Sequence, residues 1–312
     1  MITLRQLRYL EALADTLHFG QAAEACAVTQ PALSMQIKEM EDDLQVSLIE
    51  RRKSGIELTE QGEEIVRRGR TILASVRDLL DYAKHRERVL TGTLKLGAIP
   101  SIAPYLLPAA LPELQRRFPA LNLQLRETLT SNLVHELVAG GLDLILIALP
   151  IDDPEVETLH LFDDRFILAT KATKRNQRLR HASAEMLADD RLLLLEEGHC
   201  MRDQALSYCH MLTPEARDSF GASSLATIVQ MVANGYGITL LPEMAIASEV
   251  HTGGDIRLLR FRAPEPKREI GLAWRKTSPR KRDFIQLAEL LRDVAPRREN
   301  RRSSSAAKQG RR

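Results

Sequence analysis

Two of the chain's three cysteines lie nine residues apart in Glu196-Glu-Gly-His-Cys-Met-Arg-Asp-Gln-Ala-Leu-Ser-Tyr-Cys209, and their neighbours suit a reactive thiol with a second thiol in the same segment. Cys200 follows a Gly-His step that closes the apolar run Leu192 to Leu195 and opens a helical pattern, which puts it in the first turn of a helix. A helix N-terminus favours thiolate over thiol. His199 and Arg202 add positive charge nearby, and a thiolate is the form that attacks peroxide. The spacing also has a mechanical consequence. Along a continuous helix, nine steps set the two α-carbons roughly 13 Å apart, whereas a disulfide needs them within about 7 Å. Bond formation would therefore unwind the helix and give a local oxidation a structural output. Two other readings stand beside this one: a pair of unrelated buried thiols, and a metal knot of His199, Cys200, Cys209 and His210, although such knots usually have closer ligand spacing.

The whole chain narrows the setting. Its 312 residues suffice for two or three domains with their own cores. Three cysteines cannot form a disulfide framework. No N-terminal segment reads as a signal peptide, and no run approaches the roughly 20 apolar residues of a membrane span. The expectation is a cytoplasmic protein with no membrane contact, no cofactor and no metal, in which an oxidisable thiol pair is catalytic or sensory rather than structural. A net charge of +2 implies no partner by itself. The segment RRENRRSSSAAKQGRR at the end has seven basic residues against Glu299 and no apolar side chain larger than alanine, so 296–312 reads as a disordered basic tail. Residues 1–91 hold 13 Lys and Arg against 15 Asp and Glu, so any DNA contact there must come from local geometry.

That geometry is legible. Leu7, Leu10, Ala14 and Leu17 recur at helical spacing, and Phe19, Ala22, Ala23 and Cys26 repeat the pattern on a second helix, placing Cys26 on a core face as an inert thiol. After a turn at Ala27-Val28, Thr29 is a good N-cap and Pro31 suits a first turn, so a third helix begins near Gln30. Leu33, Ile37, Met40 and Leu44 form its inner face. Gln30, Ser34, Gln36 and Lys38 form the outer one, with side chains able to reach base edges or phosphates in a major groove. Glu50 to Gly55 is a basic turn and Ile56 to Thr59 alternates like a strand. This is a wing that sets Arg51, Arg52 and Lys53 over phosphates.

The stretch LRQLRYLEALADTLHFGQAAEACAVTQPALSMQIKEMEDDLQVSLIERR followed by LTEQG resembles the DNA-binding region of LysR-type transcriptional regulators, most specifically in its T-Q-P-A-L-S-x-Q-I core. The resemblance implies promoter DNA as partner, with Thr29, Gln30, Pro31, Ser34, Gln36, Lys38, Arg51 and Arg52 at the interface. Gln45 stands where the family usually has Gly, and Ile49 where Phe is common.

Beyond the wing, Ile65, Ile72, Val76, Leu79 and Ala83 keep coiled-coil spacing, so a helix over about 60–89 could pair two protomers. From Gly92 onward short apolar strands alternate with helices: Leu94–Ile99, Leu121–Leu125, Leu142–Leu149, Phe166–Ala169, Leu192–Leu195, Ile238–Leu241 and Ile270–Trp274. That alternation predicts an α/β fold with parallel sheets, whose ligands bind beyond the C-terminal ends of strands, where Ser101, Thr130 or Ser131, His199-Cys200 and Ser223-Ser224 fall.

The LysR resemblance extends here and implies a two-lobed, periplasmic-binding-protein-like α/β sensor with crossovers near Asp163 and Arg268. The expected organisation is a winged helix-turn-helix over 1–59, a linker and dimerisation helix over 60–91, a sensor over 92–295 and the tail. LGAIPSIAPYLLP, EEGHCMRDQALSYC and NGYGITLLP look most like the peroxide-sensing members of that family. By that likeness Cys200 is the peroxidatic cysteine and Cys209 its disulfide partner. That likeness also implies a peroxide pocket of Ser101, Thr130, His199, Arg202 and Asp203, with Ser101 standing where Thr is usual. The same likeness implies a homotetramer, RNA polymerase as partner and a thiol reductant of glutaredoxin or thioredoxin type. Two other functions remain on the residues alone: a regulator answering a small organic anion, and a thiol peroxidase, against which the winged helix argues.

Overall fold

The computed structural model describes residues 1–52, 55–84, 89–174, 176–183, 186–187, 190–210, 221–250 and 255–295, without the side chains of residues 51–52, 81, 83–84, 209–210 and 221. The tip of the wing at Lys53 and Ser54 and the basic tail therefore lie outside the described residues.

The N-terminal head follows from its caps and its apolar spacing. Helix α1 (Leu4–Thr16) opens with a capping box in which the Thr3 hydroxyl accepts the Gln6 N–H and the Gln6 side chain accepts that of Thr3. Leu17 does not extend its core face as the spacing predicts. It closes the helix in the left-handed region at φ 48° and is exposed. Helix α2 (Phe19–Ala25) ends at Cys26, which is half-buried rather than deep in the core. Helix α3 (Gln30–Leu44) starts where expected, with Thr29 accepting the Ala32 N–H at 3.4 Å and Pro31 in a first turn that has no use for its missing N–H. Leu33, Ile37 and Met40 lock α3 onto α1 and α2, each at 2 % exposure or less. Truncating any one of them should cost about 2–5 kcal/mol.

The wing is an antiparallel pair, β1 (Ile49–Arg52) and β2 (Gly55–Leu58), in register from Ile49 opposite Leu58 to Arg52 opposite Gly55. Helix α4 (Glu60–Lys84) leaves it through Thr59, whose hydroxyl donates to the Ser47 carbonyl and accepts the Gly62 N–H. A Cβ on Gly62 would sit 2.1 Å from the Leu48 carbonyl oxygen, so only glycine lets the helix pass this close under the wing.

The chain divides into two compact units: 1–99 with 120–159 and 272–285, and 100–119 with 160–271 and 286–312. In the first, β3 (Gly92–Ala98) lies between β4 (Leu121–Glu127) and β5 (Leu144–Leu149), both parallel to it. Helix α6 (Thr130–Val138) buries Leu133 and Leu137 in the same unit. The second unit contains α5 (Ala103–Arg117) and most of the long strand β6 (Val156–Lys171). It also holds β7 (Leu194–Leu195), α7 (Cys200–His210), β8 (Gly221–Ala222), α8 (Leu225–Asn234), β9 (Thr239–Pro242), α9 (Ile246–Glu249) and β10 (Ile256–Leu259). Strand β11 (Lys267–Arg275) and α10 (Lys281–Val294) contribute to both units.

The expectation of parallel sheets needs correction in the second unit. β6 is antiparallel to β9 and to β10, and parallel pairing among the described residues of this unit is confined to the short β7 and β8 and to the single bridges Leu192–Ile238 and Ala182–Phe261. Periodicity marks a strand but carries no information on its direction. The expected strand over Leu192–Leu195 is likewise cut to two residues, with Leu192 making a single bridge to Ile238.

Gln45 closes α3 at φ 56°, and its side-chain amide donates to the Asp42 carbonyl at 2.6 Å. The left-handed conformation explains the glycine usual here, since glycine alone adopts it without steric cost. Gln45→Gly should stabilise the head by about 0.5–1 kcal/mol, net of the lost hydrogen bond, seen as a higher melting temperature. An unchanged or lower value would mean that the Asp42 contact outweighs the strain.

Candidate functional site

The outer face of α3 presents Gln30, Pro31 and Lys38 to solvent, with Ser34 half-buried beside them. Gln36 is half-buried, and its amide donates to the Glu39 carboxylate at 2.6 Å, so it is committed to a neighbour in this state. Thr29 is exposed and caps the helix. Arg51 and Arg52 lie on β1, but their side chains are among those not described. Met35, absent from the expected interface, is 56 % exposed between these residues. A large apolar side chain in that place suits contact with a thymine methyl. Its signal in the sequence was its position, one residue from Ser34 and one from Gln36.

The thiol segment is built from the strand that precedes it. Gly198 takes φ 90°, turning the chain out of β7 so that α7 begins at Cys200. Met201 and Ala205, at 1 % and 0 % exposure, anchor α7 in a core shared with Leu192 to Leu195 and with Leu225, Ile228 and Val232 of α8. Tyr208 meets Phe261 edge-on, ring centroids 5.4 Å apart. The Arg202 guanidinium donates to the Leu195 carbonyl at 3.1 Å, tying the first turn of α7 back to β7. Cys200 is half-buried and unbonded, and Asp203 is exposed. The helix is unbroken from Cys200 to His210, which meets the condition for the wide separation of the two thiols. Gln204 Oε1 is buried on it without a hydrogen-bond partner among the described residues.

His199 departs from expectation. Burial pushes its pKa below the ordinary histidine value, against the weaker pull of Glu196. It therefore lends less positive charge to the thiol than its position in the sequence suggests. Cys26 is raised, chiefly by burial, which fits an inert thiol.

Ser101 is buried under a residue that sequence reasoning used only as a boundary marker. Arg268, with its side chain 0 % exposed, donates to Ser101 Oγ at 2.8 Å and to the Ser101 carbonyl at 2.9 Å. The same guanidinium meets Asp164 at 2.9–3.0 Å, contacts Met244 Sδ at 3.4 Å and lies 6.0 Å from the centre of the Phe166 ring. Burial pushes the Asp164 carboxyl up, against the pull of Arg268 and the Met244 N–H. One clue was available: strand alternation puts Arg268 on the same face as Ile270, which is wholly buried. Thr130 belongs to the first unit, at the start of α6, and its hydroxyl oxygen is buried with no partner among the described residues. Ser101, His199, Cys200, Arg202 and Asp203 all belong to the second. The metal reading rests on Cys209 and His210, whose side chains are not described. Among the described residues no group of three His, Cys, Asp or Glu is placed to hold a metal.

Residues 4–63 match the bacterial regulatory helix-turn-helix protein of the lysR family, and residues 87–296 match the LysR substrate binding domain. The chain belongs to the LysR family. It is 39 % identical over 291 residues to the Escherichia coli K12 DNA-binding transcriptional dual regulator OxyR, covering 93 % of this chain and 95 % of that protein. A solved full-length OxyR of Pseudomonas aeruginosa, a variant with one cysteine replaced by aspartate, is similar at 40 % identity and TM-score 0.80, covering 95 % of this chain and 97 % of that one. A Corynebacterium glutamicum OxyR with one cysteine replaced by serine, described as H2O2-bound, follows at 33 % identity and TM-score 0.62, with 94 % of each chain covered. This LysR protein is thus a DNA-binding transcriptional regulator and not an enzyme, which removes the peroxidase reading. No described helix is long and apolar enough to cross a membrane.

Two outcomes follow for the LysR sensor. Arg268→Ala should cost about 3–5 kcal/mol, because it strands Asp164 as a buried charge, whereas Ser101→Ala should cost far less. Comparable losses in urea unfolding would contradict this assignment. For His199 the folded state prefers the neutral ring, so the unfolded chain binds more protons between the depressed folded value and the ordinary one near 6.5. Stability is thus highest above about pH 6.5 and falls as pH drops through that window. His199→Asn should flatten the decline of melting temperature between pH 7.5 and 5, and a parallel decline in both proteins would refute it.

Proposed function

We propose that this LysR regulator senses hydrogen peroxide through Cys200 and Cys209 and converts their disulfide into a changed grip on promoter DNA. One observation carries the reading: α7 is continuous across both cysteines, holding their α-carbons roughly 13 Å apart, beyond the reach of a disulfide. Peroxide oxidises the Cys200 thiol to sulfenic acid, releasing one water. The Cys209 thiol then attacks that sulfur, forming the disulfide and releasing a second water. The bond and the helix exclude each other. A dithiol reductant of glutaredoxin or thioredoxin type restores the thiols.

Three features support the reading. The orphan hydroxyl of Thr130 is a donor and acceptor awaiting a small polar ligand, since such a buried group unsatisfied costs about 1–3 kcal/mol. Ser101, pinned by Arg268, offers a second hydroxyl at a fixed position, and His199, Arg202 and Asp203 flank the thiol. The similar E. coli and P. aeruginosa proteins are named OxyR, and the C. glutamicum one is described with H2O2 bound. On DNA, α3 would enter the major groove with Thr29, Gln30, Pro31, Ser34, Gln36 and Lys38, while Arg51 and Arg52 of the wing take phosphates. Ile72, Leu79 and Tyr82 leave an apolar stripe exposed on α4, which supports pairing of protomers; assembly into a homotetramer and engagement of RNA polymerase in the cytoplasm belong to the same proposal.

Thiol-trapping mass spectrometry after micromolar peroxide should find Cys200 joined to Cys209 and Cys26 reduced. Cys209→Ser should still react at Cys200 yet change its footprint weakly or briefly. A full, lasting footprint change in Cys209→Ser would show that sulfenic acid, not the disulfide, throws the switch. Absence of any Cys200–Cys209 bond in the wild-type protein would leave a small organic anion as the better effector.

A further inference from the structure

Helix α4 has three working faces in the first unit. Val66 and Leu73 bury into the core of the head, at 5 % exposure each. On the opposite side to the sensor, Ile72 and Leu79 stand free at 47 % and 68 % exposure. The third face, through Ala74, Arg77 and Asp78, is clamped to the sensor lobe. Arg77 donates to the Gly140 carbonyl at 3.0 Å. Gly140 itself sits at φ 77°, and a Cβ there would come within 2.2 Å of the Ala74 Cβ, so helix and turn touch backbone to side chain with no gap.

Arg275 completes the clamp. Its side chain is 8 % exposed, and one guanidinium nitrogen donates to the Leu137 carbonyl at 2.9 Å and the Leu142 carbonyl at 2.8 Å, satisfying the open end of α6. The other donates to Asp78 Oδ1 at 3.0 Å, and Asp78 is 15 % exposed. An ion pair this sheltered, made by a planar fork already fixed on two carbonyls, holds direction as well as distance. The same helix α6 begins at Thr130, the residue with the orphan hydroxyl. One nine-residue rod therefore joins a residue expected to bind peroxide to the seat of the DNA-binding head.

We propose that Asp78 and Arg275 are positioning residues that hold α4, and the head it carries, at the angle belonging to the thiol form, and that oxidation rearranges the heads by breaking this clamp. The inference rests on the redox reading above and adds the contact through which the sensor commands the head. Because coupling is reciprocal, a clamp that favours the thiol form must also resist the disulfide.

The test uses the full-length protein on promoter DNA, with Asp78→Ala removing the ion pair, Gly140→Ala forcing the surfaces apart and Asp78→Glu preserving the charge. In the thiol form, Asp78→Ala and Gly140→Ala should already give a footprint of the oxidised length. The ratio of reduced to oxidised dithiothreitol at which half the protein holds its Cys200–Cys209 bond should rise about fivefold or more. Asp78→Glu should restore both readings towards wild type. A merely structural role would lower the melting temperature and leave that ratio unmoved. Wild-type footprints and an unmoved ratio in both Asp78→Ala and Gly140→Ala overturn the proposal. A wild-type protein that forms no such bond instead overturns the redox reading, and this inference with it.

Discussion

A disulfide cannot span nine residues of intact α-helix, and on the proposed redox reading the anchoring of α7 takes its meaning from that incompatibility. Helix α7 is fastened where it matters for stability, through Met201 and Ala205 in the core and Tyr208 on Phe261. Its start depends on Gly198 in the left-handed region and on Arg202 returning to the Leu195 carbonyl. Each of these contacts favours the helix, so in the proposed switch the unwound form would depend on the covalent bond to hold it. One feature works the other way: Gln204 leaves a buried side-chain carbonyl oxygen without a partner among the described residues, which costs free energy in this state. Strong anchors beside one unsatisfied group are compatible with the two discrete states that the proposed switch needs.

The sequence exposes those parts of the molecule where local rules decide. Thr29 and Pro31 start α3 at the expected residue because capping and proline geometry act within one turn. The wing is visible in a basic turn beside an alternating strand, and α7 in the apolar run and Gly-His step before it. Even the departure at Gln45 is readable afterwards as a left-handed C-cap filled by a residue that supplies its own hydrogen bond.

What the sequence hides is set by distant partners. Leu17 has the spacing of a core residue, yet the chain must leave α1 there, and the left-handed turn exposes it. His199 looks like a cation beside a thiol until burial, which no single residue reveals, lowers its pKa. Arg268 is the clearest case. A charged side chain in a strand reads as solvent-facing, but Asp164, Ser101, Met244 and Phe166 close over it from separate stretches of the chain. The antiparallel partners of β6 escape for a similar reason, since strand direction is a property of pairs.

Two of the three arginines buried among the described residues, Arg268 and Arg275, divide the work of the sensor between them, and the division explains why neither could be a lysine. Arg268 holds one hydroxyl of the expected pocket while neutralising Asp164, and Arg275 caps α6 while pairing with Asp78. Each guanidinium serves a backbone carbonyl and a carboxylate at once, through nitrogens held at fixed angles. An ammonium group can supply charge to the same places, but it cannot transmit orientation because its donors rotate freely. The proposed switch, which turns a sulfur-sulfur bond into a change of angle at a DNA-binding head, needs joints of this rigid kind, and α4 is where that angle would be read. One of its faces is committed to the head, one to the sensor, and the third, with Ile72 and Leu79, is exposed, so a small rotation of the helix alters all three together.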